Sequence, residues 1–171
     1  QRIAEHVAFN DVVVTRGVVP FLDIAYQGFA EGIEPDGHVV RAFAATPGPL
    51  FVSSSFSKSF SLYGERVGAL SVVAMDKDEA ARVLSQLKRV VRMNYSNPPT
   101  HGGQIVATVL GTPDLRALWE EELASMRDRI KRMRAALVQR LHERMPGSDF
   151  RYMLAQRGMF SYSGLSRAAV Q

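Results

Sequence analysis

The chain has 171 residues, with 21 Lys plus Arg against 17 Asp plus Glu and a formal charge of +4. Hydrophobic residues make up 46% and charged residues 22%, an ordinary globular mix that argues against disorder and fibrous structure. Cysteine is absent, which excludes a disulfide framework, a thiolate nucleophile and a Cys-ligated metal centre. No apolar run approaches the roughly 18 residues that a membrane-spanning helix needs. Length alone allows one domain. The start Gln1-Arg2-Ile3-Ala4-Glu5-His6 has neither Met nor an apolar signal core, so a fragment of a longer chain is expected.

In chain order, residues 18–22 read as a strand at a sheet edge or near its end, because Pro20 cannot donate to a ladder. Residues 31–37 are turn chemistry, residues 38–45 suit a short helix, and Thr46-Pro47-Gly48-Pro49 breaks the chain. Residues 50–53 form a second strand that feeds a serine-rich loop at 53–61. Residues 67–75 form a third, apolar enough to be covered on both faces. Asp76 is placed as an N-cap, with Asp78 and Glu79 in the first turn of a helix running to about Arg92. A loop over 94–103 and a short apolar helix over 104–110 follow.

Thr112-Pro113 opens the next helix, with Thr112 as its N-cap and Pro at its first position. Leu115, Leu118, Trp119, Leu123, Met126, Ile130, Met133, Leu137 and Leu141 keep a three-four spacing until Pro146-Gly147. This predicts a helix far longer than the usual 11–12 residues or so. A final strand is expected over 158–163, and residues 165–171 begin another element. Strands followed by helices predict an α/β layer, and the tail predicts a smaller α+β lobe.

Most of the basic charge lies between Lys88 and Arg144, interleaved with Glu120, Glu121, Glu122, Asp128 and Glu143. Mixed charge of this kind is the solvated face of a helix. A binding module that uses these basic helices on an anionic partner is the alternative reading. It lacks any zinc-finger, RNP-type or helix-turn-helix signature for nucleic acid.

Three segments carry chemistry. In Ser53-Ser54-Ser55-Phe56-Ser57-Lys58-Ser59-Phe60-Ser61-Leu62-Tyr63-Gly64-Glu65-Arg66 a lone lysine sits among hydroxyls, with an arginine eight positions on. Hydroxyls and Arg suit a phosphate monoester, and a lysine beside them can form a Schiff base with an aldehyde. Pyridoxal phosphate combines both groups, although such a segment taken alone is also what a solvated loop looks like. Pro20-Phe21-Leu22-Asp23-Ile24-Ala25-Tyr26-Gln27-Gly28 puts a carboxylate at the end of a strand, where open α/β sheets present ligand sites. Asp23 suits a pyridinium nitrogen and Tyr26 the ring's phenolate oxygen; a helix cap and a packed ring are the plainer alternatives. Arg92-Met93-Asn94-Tyr95-Ser96-Asn97-Pro98-Pro99-Thr100-His101-Gly102 holds an arginine able to grip a carboxylate, or simply a helix end and a turn.

These three segments, in this order, resemble the aspartate/aromatic amino-acid aminotransferases, class I aminotransferases of pyridoxal-phosphate fold type I. The tail Gln156-Arg157-Gly158-Met159-Phe160-Ser161-Tyr162-Ser163-Gly164-Leu165 is similar to that family's small-domain strand. The resemblance covers essentially the whole chain. It implies an α/β fold: residues 1–113 as the C-terminal half of a large cofactor domain with a mostly parallel sheet, and residues 114–171 as the connecting helix and part of a small α+β domain. It implies pyridoxal 5'-phosphate as cofactor and no metal. Lys58 would be the Schiff-base lysine and proton shuttle, Asp23 the partner of the ring nitrogen and Tyr26 that of the phenolate. Ser55 and Arg66 would hold the phosphate.

Arg92 would bind a substrate side-chain carboxylate in the neighbouring subunit, with Ser96 supporting that neighbour's phosphate site. His101 is left structural. The implied activity is transamination between an aromatic or dicarboxylic L-amino acid and a 2-oxo acid, in a cytoplasmic homodimer with shared sites, without nucleic acid or membrane as partners. A decarboxylase or lyase of the same fold type is disfavoured by Tyr26-Gln27-Gly28-Phe29-Ala30 and by the segment 94–99. Family members are more than twice as long. The Ser-Gly-Thr phosphate loop, the ring-stacking aromatic residue, the Asn of Asn-Pro-Thr-Gly and the C-terminal α-carboxylate arginine have no counterpart in these residues. The chain is therefore expected to be inactive by itself.

Overall fold

The structure is a computed structural model that describes residues 11–13 and 15–170. Three strands, β1 (Phe21–Ile24), β2 (Leu50–Ser55) and β3 (Gly68–Val73), form one sheet in the order β1-β2-β3. β1 pairs with β2 in parallel, Asp23 opposite Ser53, and β2 pairs with β3 antiparallel, Ser55 opposite Gly68. The sheet is thus mixed where the resemblance implied a mostly parallel one. β1 starts just after Pro20, whose carbonyl accepts from Phe51 N–H at 3.0 Å. The ring therefore sits at the strand's entrance, where its missing N–H breaks no ladder bond.

Successive side chains alternate between the two faces. One face sends Leu22, Ile24, Leu50, Val52 and Val73 against Phe43, Val39 and Val40 of a short helix and against Val13, making the sheet's core. That helix, α2 (His38–Ala44), follows a single helical turn, α1 (Ile33–Asp36), where turn chemistry was expected. The opposite face carries Phe21, Asp23, Phe51, Ser53 and Ser55. β3 departs from expectation: Gly68, Ala69, Leu70 and Ser71 are exposed. It is an edge strand with one neighbour among the described residues, so its apolar character does not mean burial.

α3 (Lys77–Tyr95) begins as expected, with the Asp76 carboxylate accepting from Glu79 N–H at 2.7 Å. Glu79 Oε2 in turn accepts from Met75 N–H at 2.6 Å, a reciprocal cap. The helix runs three residues beyond Arg92. α4 (His101–Gly111) starts earlier than expected, because Gly102 and Gly103 are helical. Gly102 is buried there, and a Cβ on it would lie 3.0 Å from the Glu65 Cβ and 3.1 Å from the Val67 Cβ. Close packing, not a turn, explains that glycine.

Pro113 opens α5 (Pro113–Arg144), 32 residues and about 48 Å long at the usual rise. The Thr112 side chain makes no cap bond. The apolar stripe is only partly used: Leu123 is fully buried, while Leu118 and Met133 are more than half exposed. Leu123, Arg134 and Val138 are the helix's buried residues, with Trp119 and Arg127 partly buried beside them. A 3-10 turn (Arg151–Met153) and a last helical turn, α6 (Arg167–Val170), complete the described chain. The strand expected over 158–163 does not form. The carbonyls of Gln156 and Gly158 accept from the Arg134 guanidinium at 2.7 Å each, and Tyr162 N–H donates to Gln156 Oε1 at 2.7 Å. Side chains take several of the backbone groups that a ladder would use.

Gly28 marks where α5 meets the end of β1. Its φ is +93°, and a Cβ there would lie 2.5 Å from Leu123 Cδ2 and 2.9 Å from Ile33 Cδ1. Gly28→Ala is therefore expected to destabilise the chain by about 2 kcal/mol or more, from overpacking and an unfavourable φ together. Urea unfolding followed by circular dichroism measures this; a midpoint equal to that of the unmutated chain would contradict it.

Candidate active site around Lys58

Lys58 lies in the turn that leaves β2, flanked by the buried Ser57 and Ser59. Its Nζ stands 5.2 Å from the centre of the Tyr26 ring, a cation–π distance. Tyr26 follows β1 by two residues, and its other neighbour is Phe160, edge-on at 5.2 Å between ring centres. Asp23 projects from the face of β1 opposite the core. Its Oδ1 accepts from the Ser53 hydroxyl at 2.8 Å, across the parallel pair. Its Oδ2 takes no hydrogen bond among the described residues, so half the carboxylate is free for a ligand N–H.

Ser55 ends β2, and its Oγ accepts from Ser57 N–H at 3.3 Å. The pairing of Ser55 with Gly68, continued by Phe56 N–H to the Val67 carbonyl at 3.2 Å, places Arg66 beside the start of the Lys58 turn. Arg66 is exposed; one of its N–H groups donates to the Tyr63 carbonyl at 3.0 Å. Among the described residues, positive φ outside glycine occurs at Ser61, Arg66 and Ser96. All three lie in the segments singled out for chemistry. Strained backbone of this kind is tolerated where surrounding structure over-determines it, and functional sites are where it concentrates.

Arg92 and Ser96 belong elsewhere on the surface. Arg92 donates to Ser96 Oγ at 2.8 Å, and both are exposed. No hydrogen bond or ion pair among the described residues joins them to Asp23, Tyr26 or Lys58. The structure therefore gathers Asp23, Tyr26, Lys58, Ser55 and Arg66 around the sheet and sets Arg92 and Ser96 apart as a pair.

Several residues around the site were not marked by the sequence patterns. Ser53 orients Asp23, Phe160 packs on Tyr26, and Trp119 donates to the Ser59 carbonyl at 2.7 Å. Ser53 could have been found from strand register; the other two contacts are long-range and leave no local signal. Arg134 is a further case, 8% exposed and bonded to Ser161 Oγ at 3.0 Å as well as to backbone carbonyls. Among the described residues no three His, Asp or Glu side chains are grouped so as to hold a metal ion, and no helix is long and apolar enough to cross a membrane.

The fold is α/β, with a lysine on the turn leaving its central strand. The family model for aminotransferases of class I and II matches residues 3–171, and the chain belongs to that family. It is 62% identical to an aspartate aminotransferase of Pseudomonas aeruginosa over 161 residues, 94% of this chain and 40% of that protein. It is 54% identical to an aromatic-amino-acid aminotransferase of Escherichia coli, across 95% of this chain and 41% of the other. Among solved structures, the aromatic-amino-acid aminotransferase of Burkholderia pseudomallei covalently bound to pyridoxal phosphate matches with a TM-score of 0.95 and 65% identity, covering 98% of this chain and 42% of that one. The chain spans about 40% of the length of the curated relatives it matches.

Below the cluster, Glu31 joins α5 to the C-terminal segment. Its carboxylate meets Lys131 Nζ at 2.9 Å and Arg157 Nε at 2.7 Å. The hydrogen bond from Lys131 holds the Glu31 carboxyl below its ordinary 4.5; the charges of Arg157 and Lys131 add to this, opposed by burial and by Asp36. Because the folded value is the lower one, the stabilisation is complete above 4.5 and is lost as pH falls through the folded value. All three groups are partly exposed, so the effect is expected below about 1 kcal/mol. Urea midpoints of the unmutated chain and Glu31→Gln should differ near neutrality and converge as pH falls below 4.5. A difference that stays constant over that range would show that the ion pairs are not its source.

Proposed function

We propose that this chain carries the cofactor-binding and proton-transfer groups of a pyridoxal-phosphate-dependent transaminase acting between an aromatic or dicarboxylic L-amino acid and a 2-oxo acid such as 2-oxoglutarate. The observation that carries the reading is the Lys58 amine poised 5.2 Å over the Tyr26 ring, on the sheet edge where Asp23 keeps a free carboxylate oxygen. The donor set suits this cofactor group by group. An amine meets an aldehyde, a carboxylate meets a pyridine nitrogen, and a phenol meets a phenolate. A hydroxyl with a guanidinium meets a phosphate.

Pyridoxal phosphate, when bound, supplies an electron sink for the electrons left on the substrate's α-carbon. The chain's own residues do the rest. Asp23 holds a proton on the ring nitrogen, and Ser53 keeps that carboxylate oriented. Ser55 and Arg66 anchor the phosphate. Lys58 Nζ would hold the cofactor at its aldehyde group and would serve as the general base toward the proton on the substrate's α-carbon. Tyr26 steadies the protonated amine through its ring face and offers its hydroxyl to the phenolate.

Arg92, exposed and braced on Ser96, is proposed to bind a substrate's side-chain carboxylate in the partner subunit of a homodimer. Ser96 accepts from Arg92, which leaves its own O–H to donate toward that subunit's phosphate site. Residues 1–113 form part of the cofactor domain and residues 114–171 the connecting helix and part of the small domain in this proposal, with the whole acting in the cytoplasm. In the described residues Asp23 is exposed. The 171-residue chain by itself is accordingly proposed to bind cofactor without measurable turnover, since water around the reacting groups weakens every charge the site depends on.

The test is covalent trapping. The chain is incubated with pyridoxal phosphate, reduced with borohydride, digested and mapped. The label is expected on Lys58 and is lost in Lys58→Ala; Asp23→Ala weakens cofactor retention while leaving the mapped position unchanged. Label on Lys77, Lys88 or Lys131 in preference to Lys58 would overturn the assignment.

A further inference from the structure

We propose that Trp119 is a positioning residue for Lys58, an inference that rests on the reading of Lys58 as the cofactor lysine. A lysine side chain is long and freely rotating, so where its amine stands depends first on how its main chain is held. The Lys58 turn is partly self-closed: Phe60 N–H bonds to the Phe56 carbonyl and Ser61 N–H to the Lys58 carbonyl, each at 3.2 Å. The carbonyl of Ser59, one residue after the lysine, is not used by the turn. It accepts from Trp119 Nε1 at 2.7 Å, from a residue 60 positions away. The indole of Trp119 also stacks on Phe60, with ring centres 4.5 Å apart and planes 20° from parallel. Phe60 in turn meets Phe56 edge-on at 5.5 Å.

One side chain of α5 therefore grips two consecutive residues after Lys58, the first by a directed bond and the second by stacking. Ser57 and Ser59 are 5% and 8% exposed, so the lysine is the member of the turn that reaches outward while its neighbours are held in. Stacking alone fills space and tolerates sliding. The N–H···O bond has a required direction and fixes the tilt of the Ser59–Phe60 peptide, the second after Lys58, while the first is tied through the Lys58 carbonyl to Ser61 N–H. That tilt aims the amine over Tyr26.

The experiment compares Trp119→Phe, which keeps a ring on Phe60 and loses the N–H, with Phe60→Leu, which loses the stack and keeps the N–H. Each chain is labelled with limiting acetic anhydride, and acetylation of Lys58 is read by mass spectrometry relative to the exposed Lys77 and Lys88. An amine no longer seated against the Tyr26 ring is more accessible to the reagent. Trp119→Phe is expected to raise the Lys58 ratio roughly two- to fivefold, and Phe60→Leu to leave it near that of the unmutated chain. An unchanged ratio in Trp119→Phe overturns the proposal; so does an equal rise in both variants, which would make Trp119 a packing residue only. Urea midpoints by circular dichroism show whether each variant is folded.

Should Trp119→Phe not fold, the unmutated chain still decides. Its single tryptophan gives one indole N–H resonance after ¹⁵N labelling. Exchange with solvent many times slower than in free indole is expected, and exchange at the free rate overturns the bond to Ser59. Labelling with acetic anhydride needs no cofactor. Failure of the trapping experiment would therefore count against the cofactor reading while this ratio still judges the role of Trp119.

Discussion

A row of side chains on one face of α5 joins three stretches of chain that are far apart in sequence. Trp119 takes the carbonyl after Lys58, Leu123 packs on Gly28, Arg127 donates to the Gly28 carbonyl at 3.0 Å, Lys131 pairs with Glu31, and Arg134 holds the segment 156–161. Steps of four residues advance about 40° around a helix, and the final step of three turns back about 60°. The row therefore stays on one side over four turns. Its members differ in strength. Full burial of Leu123 is worth about 1.5–3 kcal/mol, and a hydrogen bond from a charged donor about 1.5–3, against at most about 1 for the exposed Lys131–Glu31 pair. The helix is held to the sheet by its buried apolar and guanidinium contacts, with the surface ion pairs as a minor addition.

Arg134 shows how the C-terminal segment is organised without regular structure. A buried guanidinium needs its donors satisfied, and here carbonyls and a hydroxyl do this without any carboxylate. The segment curls around the charge, presenting the Gln156 and Gly158 carbonyls and Ser161 Oγ. That curl brings the Phe160 ring against Tyr26. Residues 156–161 are thus a cage built on a helix side chain, and the cage delivers an aromatic wall to Tyr26.

This explains which parts of the molecule could be read from the sequence. The Asp76 cap, the Pro113 start and the three strands were legible because each depends on residues within a few positions of itself. Asp23, Tyr26 and Lys58 were singled out because their chemistry and order form a motif, and the structure sets Lys58 Nζ 5.2 Å from the Tyr26 ring centre. Gly102-Gly103 looked like a loop and is helix; the neighbours that crowd a side chain at Gly102, Glu65 and Val67, come from a distant stretch. Residues 158–163 looked like a strand because alternation says nothing of a guanidinium that claims the carbonyls first. The contacts of Trp119 and Arg134 were illegible for the same reason: each was counted toward an ordinary helix face until its partner was known.

The most tightly held point near the site is a peptide unit without a side chain. The Asp36 carboxylate accepts from the N–H groups of Gly28, Ala30 and Glu31 at 2.8, 3.0 and 2.9 Å, and such charge-assisted bonds are stronger than neutral ones. Arg127 takes the Gly28 carbonyl from the opposite side. Residue 28 is thereby held through its N–H by an anion and through its carbonyl by a cation, with Leu123 filling the space a Cβ would need. Phe29 N–H donates back to the Tyr26 carbonyl at 3.2 Å, so the turn that begins at Tyr26 closes on this fixed point. The position of Tyr26 under Lys58 follows from main-chain anchoring on both sides of the pair: Asp36 and Arg127 after Tyr26, Trp119 after Lys58. Main-chain anchoring thus sets where the Lys58 amine meets the Tyr26 ring, and Asp23 keeps the free oxygen that a ligand requires.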